Sequence, residues 1–342
     1  MISMKYILEV MEKICCTASP TGYTQNAMKV VETELVSMGY EVSYTRKGAL
    51  TSIIKGKNEK IKRSVAAHID TLGAMVKEIK GNGRIAFTNI GGYAGGSIES
   101  ENCNIHTSDK VFTGTIYTVK PSVHIHSDAR TLDRTLDNME ILLDERVSSA
   151  KDVQELGISV GDFISFESRF RVTEKGYIKS RHLDDKASVA IILGVCKYIR
   201  ENNIIPEFSV QVFISNYEEV GHGASSGLSP DAEELLCVDM GTPGIGQNTD
   251  EYTVSICAKD SSGPYDYELR SRLTKLAEDN NIGYKVDIYP NYSSDGAAAL
   301  QAGMGLKVGL IGPGVYASHT YERTHKDSVE CAAKLLVEYI RS

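Results

Sequence analysis

Histidines and carboxylates recur in five short segments of this chain, and in combination they are the side chains that zinc-like divalent ions take as ligands. The first segment reads Ala67-His68-Ile69-Asp70. Residues two apart on an extended strand share a face, so Asp70 can orient or electrostatically support a metal-binding His68 imidazole. Alone, a His-x-Asp pair is more often a structural contact. Its weight here comes from the segments that follow.

The second segment is His182-Leu183-Asp184-Asp185-Lys186, at the end of a β-like run and just ahead of a helical pattern whose first-turn amides favour negative charge. Asp is a preferred helix N-cap, so capping and ligation stay open for Asp185, while Asp184 is the better candidate ligand. The third, Asn216-Tyr217-Glu218-Glu219-Val220-Gly221, directly follows the apolar run Val210–Ile214, where open α/β sheets place their active sites. Adjacent carboxylates at a buried strand end repel each other unless a cation offsets them. Their side chains diverge, so one can ligate a metal while the other serves as general base toward an attacking water.

The fourth segment, Leu235-Leu236-Cys237-Val238-Asp239-Met240-Gly241, is another apolar strand ending in an acid, which makes Asp239 a natural ligand. The fifth lies near the C-terminus and offers two histidines, His319 and His325, for one role. Taken together, these residues suit two clustered divalent ions, zinc by default, with cobalt or manganese as alternatives. Such a pair polarises an amide carbonyl and acidifies water, which is hydrolysis without a covalent intermediate.

The elements that must position these groups can be traced in the hydrophobic pattern. Ile7, Val10, Met11 and Ile14, then Met28, Val31, Leu35 and Met38, predict two amphipathic helices joined at Ser19-Pro20-Thr21-Gly22. Strands are expected over Glu41–Thr45, Leu50–Lys55 and Ser64–Asp70. From Gly73 to Glu174 the texture changes to short β-like runs broken by Gly and Asn, which reads as a β-rich insertion. The α/β pattern then returns with a helix over Lys186–Ile199, strands Phe208–Ser215 and Leu235–Val238, and a closing helix Val329–Ile340. The expected division is 1–72 and 175–342 for one α/β domain, with 73–174 inserted. Within the insertion, Val123-His124-Ile125-His126 reads as a strand with two same-face histidines, for which an interface or structural role is preferred to a metal site. Gly91-Gly92-Tyr93-Ala94-Gly95-Gly96 reads as a flexible turn rather than a phosphate loop.

With 342 residues, two domains are the natural expectation. A net charge of -8 without a basic stripe argues against nucleic-acid binding, which needs clustered cations. Seven scattered cysteines lack the spacing of a disulfide framework or zinc knuckle and read as reduced thiols in a cytoplasmic protein. Lys5, Glu9, Glu12 and Lys13 interrupt the apolar start, unlike a signal peptide, and no membrane-length apolar run follows.

Ala67-His68-Ile69-Asp70, Leu183-Asp184-Asp185, Glu218-Glu219-Val220-Gly221, Val238-Asp239, Ser294-Asp295-Gly296 and the histidine-bearing tail occur in an order that resembles the tetrahedral aminopeptidase family of dinuclear metallopeptidases, which includes glutamyl and deblocking aminopeptidases. The resemblance runs nearly end to end. It implies an α/β, mixed-sheet, zinc-peptidase-like catalytic domain split by a small β-barrel-like dimerisation domain. It also implies a homo-oligomer of dimers assembled into a dodecamer, whose enclosed cavity admits short peptides. By resemblance, His68 and Asp239 ligate one or other of two metals, Asp184 bridges them, Glu219 is a ligand, Glu218 the general base, and Asp70 stands behind His68. The family's bridging Asp precedes a cis peptide.

The tail departs from the commoner family pattern Tyr-Ile-His-Ser-Pro. His325, just before the closing helix as the family ligand is, becomes the expected last ligand, with His319 and Asp295 as substrate contacts. Asp260, Ser261 and Ser262 are further candidates to line the pocket. A carboxypeptidase or an amidase acting on acylated amino acids could use the same metals, glycan hydrolysis would need a different carboxylate pair, and a non-catalytic scaffold would need lost ligands. The acids here are all present.

Overall fold

Two hydrophobic patterns divide the computed structural model, which describes residues 1–342. Strands that are apolar along nearly their whole length, Phe208–Ser215, Glu234–Val238 and Lys307–Pro313, are buried on both faces at the centre of a sheet. Strands that alternate, such as Val111–Thr118, bury one face only and close into a barrel.

The nine-stranded mixed sheet runs in the order Val42–Tyr44, Leu50–Ile54, Phe208–Ser215, Asn58–His68, Glu234–Val238, Lys307–Pro313, Val254–Asp260 and Gly263–Pro264, with Tyr284–Ile288 also paired to Val254–Asp260. Phe208–Ser215, Asn58–His68, Glu234–Val238 and Lys307–Pro313 are mutually parallel, so their carboxyl ends share one edge. Alternate residues serve opposite faces. Val65 and Ala67 join a core of 48 residues, beneath helices Met4–Cys15, Gln25–Ser37, Leu183–Glu201 and Lys326–Arg341. Ala66 joins a core of 12 on the other face, with helix Asp295–Gln301. No helix is long and apolar enough to cross a membrane.

Six strands, Gly73–Ile79, Ile85–Ile90, Met139–Leu143, Val111–Thr118, Asn102–His106 and Phe163–Phe166, form the closed barrel around 16 buried apolar residues. Buried Arg181, which precedes helix Leu183–Glu201, pairs with Glu101 of the barrel at 3.1 Å and ties the two parts together. A small sheet of Arg171–Val172, Tyr177–Ser180 and Glu322–His325 sets Glu322 opposite Ser180, which carries the C-terminal tail to the segment holding Asp184.

Several elements differ from expectation. Val123–His126 is not a strand: the Ser122 carbonyl accepts the amides of Ile125 and His126 and folds the segment into turns, so the same-face argument for His124 and His126 falls away. Strands Val254–Asp260, Tyr284–Ile288 and Lys307–Pro313 were not anticipated, the last because Gly and Pro interrupt its apolar run. Helix Tyr267–Asp279 was also unforeseen, since it buries only Leu269, Leu273 and Ala277 on an otherwise polar surface.

Candidate metal centre

His68 is the last residue of its strand, and Nδ1 faces the Asp70 carbonyl at 3.0 Å. A carbonyl only accepts, so Nδ1 carries the proton and Nε2 is turned toward Asp184 Oδ1 at 3.3 Å and Glu218 Oε2 at 3.7 Å. His319 repeats the arrangement from the opposite side. Its Nδ1 donates to the Gly92 carbonyl, and its Nε2 lies 3.3 Å from Asp184 Oδ2 and 3.6 Å from Glu219 Oε2. Asp184 therefore offers one oxygen to each imidazole. His68, Asp184 and Glu219 bring ligand atoms within 4.8 Å of one another, as do His68, Asp185 and Asp239.

The carboxylate of Asp70 lies 3.6 Å from His68 Nδ1, but its principal partners belong to the glutamate turn. It accepts the Thr21 hydroxyl at 2.6 Å and the amides of Glu218 and Glu219 at 3.2 and 3.3 Å. Asp70 thus anchors the short turn after strand Phe208–Ser215 that presents both glutamates. Asp185 does not cap the helix. Its Oδ2 accepts the His68 amide at 3.1 Å and no helix amide, and the backbone at Asp184 and Asp185 is non-helical, so the regular helix begins only after them. The Asp184–Asp185 peptide is cis.

Three expected placements are corrected. His325 stands apart from the cluster: its Nε2 donates to the Lys175 carbonyl at 2.8 Å, its Nδ1 caps the closing helix by accepting the Asp327 amide at 3.2 Å, and its ring sits between Tyr177 and Tyr252. The histidine facing the acids is His319. Asp295 does not line the cavity, because its carboxylate is spent on the Ser215 hydroxyl and, at 2.7 Å, the Ala224 amide behind the glutamate turn. Likewise Asp260 is buried in a turn, where it accepts from Ser262, Gly263 and Tyr265.

Sequence reasoning gave no role to Glu322. This buried carboxylate accepts the Asp184 amide at 3.1 Å and the His319 amide at 3.0 Å, fixing both sides of the site at once. Its only sequence signal was its place between the two tail histidines. The glycine run also acquires a function, since Gly92 orients His319 and Gly91, at φ +75°, packs where a Cβ would lie 2.5 Å from Leu72 and 3.5 Å from Glu219.

The electrostatics follow from crowding acids out of water. Burial, then repulsion from Asp184, pushes Glu219 up to about 8 and Asp239 up to about 7. Glu218 is raised well above the usual range by burial and by Asp239, Asp295 and Glu219. Burial opposes charge on His319, but Asp184 and Glu219 hold it at about 11, and Asp184 itself is held low against burial by its hydrogen bonds with His319 and His68. Acids that resist ionisation beside one another are relieved by a divalent cation, and imidazole plus carboxylate is the donor set that zinc, cobalt and manganese share. The residues present fit such ions. They open onto a cavity of about 610 Å³ lined by Asp184, Glu218, Glu219, Asp239 and His319 on one side.

The mixed sheet carries His68 and the acids at or just beyond the carboxyl ends of its parallel strands and is interrupted by the barrel. The chain belongs to the M42 glutamyl aminopeptidase family, whose sequence profile matches residues 48–335, and it is a hydrolase of peptide bonds. It is 48% identical over 343 residues, 100% of this chain and 99% of the other, to YhfE of Bacillus subtilis (strain 168), a protein provisionally named an aminopeptidase. Its fold matches the TET aminopeptidase of the marine sediment archaeon Thaumarchaeota archaeon SCGC AB-539-E09 with a TM-score of 0.89 at 19% identity, covering 98% of this chain and 96% of that one. It also matches the TET1 peptidase of Pyrococcus horikoshii, described as assembling into a tetrahedron or a large octahedral shell, with a TM-score of 0.86 at 20% identity over 98% and 99% of the two chains.

Proposed function

We propose that this chain is an aminopeptidase that removes residues one at a time from the N-termini of short peptides with the help of two divalent ions. The observation that carries the reading is the position of Asp184, with one oxygen toward His68 and the other toward His319. In this reading His68 and Asp239 would hold one ion and His319 and Glu219 the other, with Asp184 between the two sets. Bound there, divalent ions supply polarisation of the scissile carbonyl and acidify water. Glu218 takes the proton from the attacking water and returns it to the departing amine. Asp70 holds Glu218 and Glu219 in place through their amides, and Glu322 does the same for Asp184 and His319.

Zinc is the default ion, with cobalt or manganese sharing the ligand preference. Assembly into a closed homo-oligomer is supported by the tetrahedral and octahedral assemblies of the Pyrococcus horikoshii TET1 peptidase, and in this reading the barrel is the contact between dimer partners. A cytoplasmic setting is supported by seven cysteines that are all free.

The test is release of amino acids from short peptides with free or blocked N-termini, with chelator or with added zinc, cobalt or manganese. Stepwise metal-dependent release from free N-termini is expected. Release from the C-terminus would assign a carboxypeptidase, and cleavage of blocked peptides alone an amidase.

A further inference from the structure

The cavity beside the candidate metal centre has walls that carry no charge of their own. Its four acids, Asp184, Glu218, Glu219 and Asp239, all belong to the metal cluster, and no Lys or Arg side chain lines it. Besides the cluster, the cavity is lined by the segment after Asp239, with Met240, Thr242, Pro243 and the solvent-exposed Ile245, and by the segment 289–293, with Pro290 and Tyr292. Three of the polar side chains in these walls are already engaged. The Thr242 hydroxyl lies 3.1 Å from Met240 Sδ, and the Tyr289 hydroxyl is bonded to Ser255 at 2.7 Å and to Thr249. The Gln247 amide nitrogen, oriented by its neighbours, donates to Asp287 at 2.6 Å and to the Ile288 carbonyl at 3.0 Å.

An N-terminal residue placed with its amide at the metal cluster must put its side chain against these walls. Beyond the cluster itself, where His319 and the ions are engaged with the acids, a glutamate there would find no Lys or Arg to pair with. A lysine would find only acids already engaged with the metals. Desolvating either charge without a partner is costly, whereas an apolar side chain gains from the same surface. We infer that this enzyme selects peptides whose N-terminal residue is uncharged and apolar, of the Leu, Met or Phe kind, and that Thr242 is a position at which this selectivity is set. The inference rests on the aminopeptidase reading and departs from the glutamyl specificity in the family's description.

The test is a panel of X-Ala-Ala tripeptides, with X as Leu, Met, Phe, Glu or Lys, given to the metal-loaded protein, together with calorimetric titration of free leucine, glutamate and lysine. Leu, Met and Phe are expected to exceed Glu and Lys in kcat/KM by at least about tenfold, and leucine to bind more tightly than either charged amino acid. In T242R the ratio of Glu to Leu should rise by at least about tenfold, because the new guanidinium supplies the missing counter-charge. A flat profile or a charged residue ranked first overturns the inference while leaving an aminopeptidase. No turnover of any peptide overturns the aminopeptidase reading, and the calorimetric order then decides the pocket's preference independently.

Discussion

The barrel and the carboxyl edge of the large sheet both bury a histidine, with opposite consequences. His106 in the barrel has one side-chain hydrogen-bond partner, the Ser165 hydroxyl at 2.8 Å, packs against the Tyr23 ring at 4.7 Å, and is pushed by burial below its ordinary value, so it stays neutral. His68 is as enclosed, yet Asp184, Asp70, Glu218 and Asp185 raise it well above that value against the effect of burial. One neutral partner satisfies a structural imidazole. Several acids sharing one imidazole leave a charge excess that folding alone does not resolve, and such an excess marks a site built for a cation.

The sharpest way to break this contrast is at Glu218. E218Q keeps the shape and removes the proton acceptor, so kcat should fall by about 10²- to 10⁴-fold while metal content, read by atomic emission, is retained. Undiminished turnover would remove Glu218 from the role of base.

The two tail histidines give the next largest effect. H319A should lose bound metal and with it activity, because the ring that faces Asp184 and Glu219 is gone. H325A should keep its metal and lose a helix cap, a carbonyl contact and the ring's packing against Tyr177 and Tyr252, costing about 0.5 to 2 kcal/mol for the cap alone in chemical denaturation. Metal loss in H325A with retention in H319A would reverse the assignment.

A smaller effect lies in the pH dependence of the protein after chelation. Glu219, raised to about 8, and Asp239, raised to about 7, hold protons in the folded chain that they release near pH 4 when unfolded. The folded state then binds more protons than the unfolded one, so stability falls as pH rises from about 4 to about 8. Metal ions compete with those protons, so the rise in Tm on adding zinc should grow over the same interval. A constant increment across that range would contradict the clustered-acid description.

How far the sequence carried this contrast depends on what each residue needed. Strand-end acids were legible because an apolar run followed by Glu218-Glu219 or Asp239 combines burial with charge in a few adjacent residues. The barrel was legible as texture, since Val111–Thr118 alternates, although its closure depends on pairings far apart in sequence, such as Asn102–His106 with Phe163–Phe166. The choice between His319 and His325 was not legible. Both precede the closing helix, and only the pairing of Glu322–His325 with Tyr177–Ser180 sends His325 toward Lys175 while the preceding turn brings His319 to Asp184. Glu322 was hidden for the same reason, because its partners are the backbone amides of residues 184 and 319.

The smallest expected effect tests the comparison from the side of the barrel. His124 and His126 are separated by one residue and have the spacing of a metal-binding pair on a strand. Their segment is a solvent-exposed turn anchored by the Ser122 carbonyl, and no acid shares either ring as Asp184 shares His68 and His319. Replacing both with alanine should change unfolding free energy by no more than about 0.5 kcal/mol and leave metal content unaltered. Loss of an ion from that double variant would show that spacing alone can make a site here. Retention would confine metal binding to the place where His68 and His319, 251 positions apart in the chain, meet across a single carboxylate.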